Sequence, residues 1–279
     1  MTVREPAVAG RFYPGTAAEV TASVHQLFTQ EAGEARDAVA VLCPHAGWVY
    51  SGALAARTLA QVRVPERVIV MCPNHTGRGA RVSVYPEGSW RVPGAEVPID
   101  AALAAALLTE AAAIRGCRAD DVAHALEHAI EVLVPLLLAR QPALRLVPVV
   151  VGGLEVDECV ALGQAVARAA AAVRRGDDAG EILVVASSDM SHYLPEDETR
   201  RRDHAALIAL ATGDPEALAR AVESNDVSMC GVRPACAMLS YARAVTASRP
   251  ELVGYTTSGE AFGDYARVVG YAGVVVPRA

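Results

Sequence analysis

The chain has 279 residues, of which 52% are hydrophobic, and this is enough apolar surface to bury a large core. Its formal net charge is −7, because 25 basic residues are set against 32 acidic ones. That balance, with no basic run longer than three residues, argues against nucleic-acid binding. All the basic residues are arginine, which rules out chemistry that needs a lysine Schiff base or a P-loop lysine.

Six cysteines are spread along the chain without a CxxC pair, which is typical of reduced thiols in a cytosolic protein. Cys43 and Cys72 each complete an apolar run, so we expect both in the core. The N-terminal residues carry charge early and lack the apolar stretch of a signal peptide. The alanine-rich segment 101–113 is too short and too interrupted to span a bilayer. We therefore expect a cytoplasmic protein without membrane contact.

Five short apolar runs alternate with helical patterns along the chain. The runs lie at 38–42, 68–72, 145–151, 182–187 and 268–276. The first, second and fourth are apolar on both faces, as expected of parallel strands covered by helices. The third run contains Pro148, which favours an edge position or a bulge.

The spacing of apolar residues predicts eight helices before and between these strands. They lie at 17–31, 52–62, 100–114, 122–140, 155–174, 199–212, 214–223 and 233–247. Segment 81–99 breaks the alternation, and its Pro-Glu-Gly turn between two β-like runs predicts an inserted β-hairpin. Strand and helix otherwise alternate, so we predict one α/β domain over residues 1–279. Its sheet is expected to be mostly parallel and flanked by helices on both faces.

Chemically versatile side chains follow three of the predicted parallel strands. They are His45, His75, Asp189 and His192. In open α/β sheets ligands bind outside the carboxyl ends of the strands, so such residues at three equivalent places favour a shared site. Each of these residues, taken alone, could also have a purely structural role. His45 and His75 could occupy simple turns, and Ser187, Ser188 or Asp189 could be a helix N-cap.

Cys230 lies just before a predicted helix that Pro234 opens. A cysteine near a helix N-terminus feels the positive end of the helix dipole, which favours the thiolate. A thiolate is both a nucleophile and a metal ligand, so Cys230 is a candidate for either role. Cys236, inside the helix, is expected to be a small buried residue instead.

The predicted helix at 122–140 carries His124, Glu127, His128 and Glu131 at spacings that place several of them on one face. The string HALEH also matches the zinc-peptidase pattern HxxEH. That pattern leaves the strand-end histidines unexplained, so zinc peptidase is a minor alternative. His124 is expected on a partly exposed polar face, whereas His128 and Glu131 are expected to point into the site.

Seven motifs in chain order carry a resemblance that covers nearly the whole chain. They are AVAGRFYPG, PHAGWVYSG, PNHTG, EHAIEVLVPLL, SSDMSHY, MCGVRPA and YTTSGE. Together they resemble the Memo family, in the form that occurs as protein B of the AmmeMemoRadiSam system. The resemblance implies a fold similar to that of class III extradiol ring-cleavage dioxygenases. Those enzymes hold non-haem Fe(II) with two histidines and a carboxylate.

The resemblance implies that His45, His75 and Cys230 hold a metal ion. Asp189 and His192 match further pocket residues with catalytic roles, and His192 resembles the acid/base histidine of the dioxygenases. The remaining residues of the substrate pocket are expected to be Tyr50, His128 and Glu131.

A cysteine in place of the carboxylate is the main departure from the dioxygenase pattern. Thiolate is a softer ligand, which makes the site better suited to copper, zinc or a redox role. The order of expected metals that we keep from the resemblance is Fe(II) first, copper second and zinc third. The resemblance therefore supports metal binding more strongly than ring cleavage. It also implies a small-molecule or peptide ligand in the pocket, and AMMECR-like and radical-SAM proteins as partners.

Three main functions remain open on the sequence alone. The first is a metal-dependent, dioxygenase-like oxidoreductase, in which His192 moves protons and Asp189 orients a histidine or the substrate. The second is a non-catalytic accessory protein with a vestigial pocket that serves a radical-SAM-associated system. The third is a hydrolase or transferase in which a nearby histidine activates Cys230 as the nucleophile.

Overall fold

Within residues 2–29, 34–174 and 181–279, which this computed structural model describes, the chain forms nine helices and twelve strands. The helices are α1 (Ala17–Thr29), α2 (Trp48–Ala60), α3 (Ala101–Glu110), α4 (Val134–Arg140), α5 (Val156–Arg174), α6 (Glu196–Thr212), α7 (Pro215–Ser224), α8 (Val232–Val245) and α9 (Gly259–Phe262). The strands are β1 (Val3–Arg4), β2 (Ala38–Cys43), β3 (Arg67–Pro73), β4 (Val82–Val84), β5 (Ser89–Val92), β6 (Ala95–Pro98), β7 (Cys117–Ala119), β8 (Arg145–Val151), β9 (Ile182–Ser187), β10 (His192–Leu194), β11 (Glu251–Thr257) and β12 (Val268–Pro277).

Four parallel strands form the centre of the main sheet. β2, β9, β3 and β8 lie side by side in that order, and each neighbouring pair is parallel. β12 extends the sheet beyond β2 as an antiparallel neighbour, and β4 does the same beyond β8. The α/β class is therefore confirmed, with a sheet that is parallel at its centre and becomes antiparallel on both sides.

Helices cover both faces of this sheet, as predicted. Alternate residues of β3 show the division, since Ile69 and Met71 pack into one core cluster and Val68 and Val70 into the other. α3, α5 and α8 contribute to the first cluster, and α2 and α4 contribute to the second. In the part of the chain that the structure describes, no helix is long and apolar enough to cross a bilayer.

The predicted central strands are observed with only small shifts at their ends, as β2, β3, β8, β9 and β12. Most predicted helices are also present. The helix predicted at 17–31 is observed as α1, and residues 30 and 31 lie outside the described residues. Cys43 and Cys72 are fully buried strand residues, which confirms their expected place in the core.

Pro148 lies in an interior strand, so the expected edge position or bulge is wrong. β8 pairs with β3 on one side, where Pro148 is in register with Val70, and with β4 on the other side. The register with β4 stops at Val149, and beyond it the Pro148 carbonyl accepts a hydrogen bond from the Tyr85 N–H (3.0 Å). The N–H that proline lacks therefore falls where the β4 ladder has ended, and the sheet tolerates it.

The inserted hairpin consists of β5 and β6, and its turn is Pro93–Gly94 rather than the predicted turn at 86–88. Gly94 has a φ of 85°, which suits glycine after proline in a tight turn. β4, the first half of the predicted hairpin, joins the main sheet instead, because Val82 and Val84 are fully buried there. β5 also pairs in parallel with β1, so the hairpin belongs to a separate three-stranded sheet.

The helix predicted at 122–140 is the largest departure from expectation. Only its end is helical, as α4. Residues 121–133, which we call the turn segment, form turns and bends on either side of an irregular stretch at Glu127 and His128. Buried carboxylates in this segment accept hydrogen bonds from backbone N–H groups of distant parts of the chain. Such tertiary hydrogen bonds outweigh helix propensity, which differs by less than about 1 kcal/mol per residue among ordinary residues.

Glu131 has no solvent exposure and ties the N-terminal residues to the turn segment. Its carboxylate accepts hydrogen bonds from the Ala7 N–H (2.8 Å), the Val8 N–H (3.0 Å) and the Tyr13 hydroxyl (3.0 Å). It also forms a buried ion pair with Arg4. These partners give Glu131 a structural role in holding the segment in place.

The variant Glu131→Gln is expected to lower the free energy of unfolding by about 3 kcal/mol, because it leaves the Arg4 charge buried and unpaired. Denaturant unfolding followed by circular dichroism measures this change. The matched control is Glu251→Gln, which breaks an exposed ion pair. The Glu251 side chain is 52% exposed and that of its partner Arg36 is 39% exposed. We expect less than about 1 kcal/mol for that exposed pair. Equal effects of the two variants would contradict the role given to Glu131.

Candidate metal centre

Three histidine rings meet at the carboxyl edge of the parallel strands. His45 follows β2, His75 follows β3, and His128 comes from the turn segment. The ring centroids of His75 lie 5.1 Å from His45 and 4.7 Å from His128. One potential ligand atom from each ring lies within 4.8 Å of the other two. Nitrogens that share an ion at about 2.0–2.1 Å are about 3–4 Å apart, so small shifts would let this cluster hold a metal.

His45 is fixed so that its Nε2 carries the lone pair. β9 lies beside β2 with Ser187 in register with Cys43, and the Ser187 hydroxyl lies 2.7 Å from His45 Nδ1. The same hydroxyl donates its hydrogen to the Ala129 carbonyl (2.8 Å), so it accepts the hydrogen of Nδ1. The Nε2 lone pair of His45 is therefore available to a metal, in the outer-shell arrangement typical of metal-binding histidines.

Glu127 fixes the other two histidines in the same way. Its Oε2 accepts the His75 N–H (2.7 Å), and its Oε1 lies 2.8 Å from His75 Nδ1 and 3.3 Å from His128 Nδ1. Burial alone would raise the pKa of this carboxyl, but the hydrogen bonds and charge of His75 lower the pKa to about 2. The ionised carboxylate can only accept, so His75 Nδ1 carries the hydrogen of this bond, and the nearby carboxylate favours a hydrogen on the Nδ1 of His128 as well. In both rings Nε2 is then the nitrogen that can bind a metal.

The two more buried histidines are neutral at pH 7. Burial, followed by the charge of His75, lowers the pKa of His45 to about 3. Burial, followed by the charge of His45, lowers the pKa of His128 to about 4. Neutral imidazole is the form that binds metals, so protons do not compete for these two ligands near neutral pH. The His75 side chain is 32% exposed, which leaves the cluster open to solvent on one side.

Cys230 lies beside this cluster, with its Sγ 3.3 Å from His45 Nε2. The Asp189 N–H points at the sulfur from 3.3 Å. Burial, followed by the charge of Asp189, raises the pKa of the Cys230 thiol to about 12. The raised pKa favours the thiol over the expected thiolate in the metal-free protein, and desolvation by burial is its largest cause. The structure brings His45, His75 and His128 together, and it places Cys230 against His45.

Asp189 lies in the loop after β9, and His192 is the first residue of β10. Within this described loop no helix begins at residues 187–189, so the N-cap explanation is wrong. Asp189 is buried and accepts a hydrogen bond from the His45 N–H (2.8 Å). His192 Nδ1 lies 3.0 Å from the Ser228 carbonyl, which can only accept, so Nδ1 carries the hydrogen and Nε2 is the basic nitrogen.

A cavity of about 630 Å³ opens over the histidines, and Asp189 and His192 also line it. Much of the remaining wall is aromatic: Phe12, Tyr50, Tyr193, Phe262 and Tyr271. Tyr50 thus lies where the sequence places it. A cavity of this size, with apolar walls and a few polar groups, suits a small-molecule ligand.

The other predicted residues of the turn segment lie elsewhere. Glu131 faces the N-terminal residues and is bonded to them, so it does not point into the cavity. The expectation of a partly exposed His124 is wrong, because this side chain is fully buried with Nε2 3.1 Å from the Ser83 carbonyl. Glu127 binds His75 instead of lying on a helix between two zinc-binding histidines. These residues therefore do not form the HxxEH zinc-peptidase arrangement.

Ser187, Glu127 and Tyr271 take part in the site although the sequence did not assign them a place in it. Ser187 comes two residues before Asp189 at a strand end, and that position alone could have indicated a place in the site. Glu127 reaches the histidines only because the segment around it is not helical. Tyr271 lies in apolar β12, and the antiparallel register of Val274 with Leu42 brings it towards the carboxyl end of β2.

The fold and the site define an α/β protein whose potential metal ligands gather at the carboxyl edge of a central parallel sheet. The family described as Memo-like protein matches residues 4–275, and the chain belongs to this family. A MEMO1 family protein of Methanopyrus kandleri is 37% identical over 289 residues, which covers 99% of each chain. MEMO1 family proteins of Aquifex aeolicus and Aeropyrum pernix are each 36% identical, with 99% of this chain and 99% and 100% of theirs covered. The predicted family membership is confirmed.

Cys230 in the metal-free protein is expected to react slowly with iodoacetamide at pH 7, because its raised pKa of about 12 leaves little thiolate. The thiolate fraction grows as pH rises but is still small at pH 9. The labelling rate should therefore stay well below that of an ordinary cysteine between pH 7 and 9. Mass spectrometry of the labelled peptide measures the rate, and the unfolded protein provides the reference. Fast, stoichiometric labelling of folded protein at pH 7 would contradict this assignment.

Proposed function

We propose that this protein is a metal-dependent oxidoreductase that binds a redox metal and a small-molecule ligand in the same cavity. The observation that carries the proposal is the convergence of three histidines at one wall of that cavity. The Nδ1 atom of each lies against Ser187 or Glu127, which leaves Nε2 as the nitrogen that can bind a metal, and the Nε2 of His45 also contacts the Cys230 Sγ (3.3 Å). Histidines held this way by outer-shell partners are typical of metal sites.

The expected metal is Fe(II), with copper as the second choice. His45 and His75 belong to both possible ligand sets, and the third ligand is His128 or Cys230. Imidazole ligands suit iron, copper and zinc, whereas a thiolate favours softer ions such as Cu(I). A redox metal, when bound, supplies the electron-transfer and O₂ chemistry that protein side chains lack.

His192 is proposed to move protons in the cavity. Its Nδ1–H is held by the Ser228 carbonyl, so Nε2 can accept a proton from a ligand in the cavity and return it. Asp189 is proposed to act by positioning, because its carboxylate holds the His45 backbone N–H. This division of roles separates proton transfer from metal binding, so the two can be tested with different variants.

The raised pKa of Cys230 weighs against a cysteine-nucleophile hydrolase. A nucleophilic cysteine needs a thiolate at working pH, and the buried thiol beside His45 does not supply one without a metal. The alternative is a non-catalytic accessory role. It would be favoured if the protein takes up no metal in the cavity.

Protein purified without oxygen is expected to contain close to one equivalent of iron or copper, and His75→Ala is expected to lose it. Elemental analysis measures the metal content. His204→Ala, at an exposed position on α6, is the matched control and should keep the metal. Comparing His128→Ala with Cys230→Ser identifies the third ligand, since only the variant that removes a ligand should weaken uptake, by about 10-fold or more. Wild-type protein that takes up neither offered Fe(II) nor Cu(I) would contradict the metal proposal.

His192→Gln is expected to slow oxygen uptake with catechol by about 100-fold or more while leaving the metal content unchanged, because it removes the basic nitrogen and no ligand. An oxygen electrode measures the rate, and elemental analysis of the same sample serves as the control. A variant that keeps the wild-type rate would remove His192 from the mechanism. Absence of uptake by metal-loaded wild type would argue against ring-cleavage chemistry with this substrate.

A further inference from the structure

Arg267 is the only permanent cation among the described residues that line the cavity. It lies in the loop between α9 and β12 and is exposed. Its guanidinium stacks over the Tyr193 ring at 5.6 Å, and within the described ranges it forms no ion pair. Among the described residues no hydrogen bond uses the N–H groups of this guanidinium, so they can bind a ligand.

A second arginine near this end of the sheet shows the contrast. Arg200 on α6 also stacks on a tyrosine, Tyr255, at 5.5 Å. Its charge is matched by Glu196 at 2.7 Å and Glu260 at 3.1 Å. The sequence thus supplies carboxylate partners for Arg200 and leaves the arginine in the cavity wall without one.

The rest of the wall does not neutralise Arg267 internally. Asp189 is buried and accepts the His45 N–H (2.8 Å), and among the described residues it forms no ion pair with Arg267. The other acidic residue of the wall, Asp264, accepts the Ala266 N–H (3.0 Å) and keeps its charge, but it also forms no ion pair with Arg267. The Arg267 guanidinium therefore has no carboxylate partner among the described residues and can pair with an acid group of a ligand.

Flat apolar groups form the other recognition surface of the cavity. Tyr50 and Phe262 meet edge to face with centroids 5.4 Å apart, at 41% and 66% exposure. Phe12 contributes a further ring and lies 4.7 Å from the His128 ring. Aromatic walls of this kind favour a planar ring through offset or edge-to-face contacts.

We propose that the ligand of this cavity is a small aromatic carboxylate and that Arg267 determines this specificity by binding its acid group. The guanidinium edge matches a carboxylate in geometry and charge, and the aromatic residues accept the ring. The inference rests on the proposed function, because it names the substrate class of the same site. It adds Arg267 to the site as a residue that touches the substrate and no metal.

The test compares 4-hydroxybenzoate with 4-hydroxybenzamide, which have the same ring and nearly the same size but differ in charge. Calorimetric titration at pH 7, with metal-loaded and metal-free protein in the absence of oxygen, measures binding without requiring turnover. Wild type is expected to bind the acid about tenfold more tightly than the amide. Arg267→Gln should remove that preference while leaving the amide affinity unchanged. Arg249→Gln, which removes an exposed arginine outside the cavity, should keep it.

Equal affinity of wild type for the two probes, or binding of neither at millimolar concentration, would overturn the inference. Equal weakening of both probes by Arg267→Gln would also overturn it, because that result indicates a general disturbance of the wall. A preference for the acid that depends on Arg267, in protein that takes up no metal, would uphold the ligand class and reject the redox proposal. Metal uptake and oxygen consumption without a preference for the acid would uphold the redox proposal and reject the ligand class.

Discussion

The geometry of the candidate metal centre depends on one buried carboxylate, Glu127. It accepts the backbone N–H groups of His75, His128 and Ala129 and faces the Nδ1 atoms of both histidines. This one carboxylate thereby fixes the loop after β3 to the turn segment and orients two histidine rings at once. Because its five partners are all donors, the charge is stabilised where burial would otherwise remove it.

The parallel sheet supplies the second constraint on the site. β2, β9 and β3 are neighbours, so the residues that follow them emerge at one edge within reach of each other. Ser187 at the end of β9 reaches His45 after β2, and Asp189 reaches the backbone of the same histidine. Burial at this edge then keeps two histidines neutral, which prepares them for a metal before any metal arrives.

Local pattern and strand position were enough to predict the α/β class, the central strands, and the strand-end residues His45, His75, Asp189 and His192. Where prediction failed, tertiary contacts decided the outcome. The apolar and polar spacing of 122–133 is helical, yet carboxylates that bind distant N–H groups keep it in turns. Pro148 is tolerated in an interior strand because the pairing with β4 ends at Val149, and the local sequence does not indicate where that pairing ends. The thiol state of Cys230 depends on burial, which the helix-dipole rule does not include.

The choice between His128 and Cys230 as third ligand links the metal to the protonation state of the site. His128 is already neutral and held by Glu127, so a metal that binds it displaces no proton. Cys230 must first lose a proton that its surroundings retain, and only an ion with a strong preference for sulfur offsets that cost. Fe(II) is therefore expected to favour the three-histidine set, whereas Cu(I) or Zn(II) would draw in the thiolate beside His45. On this reasoning we expect different metals to take different ligand sets, so the set found with a given ion would report on that ion as well as on the fold.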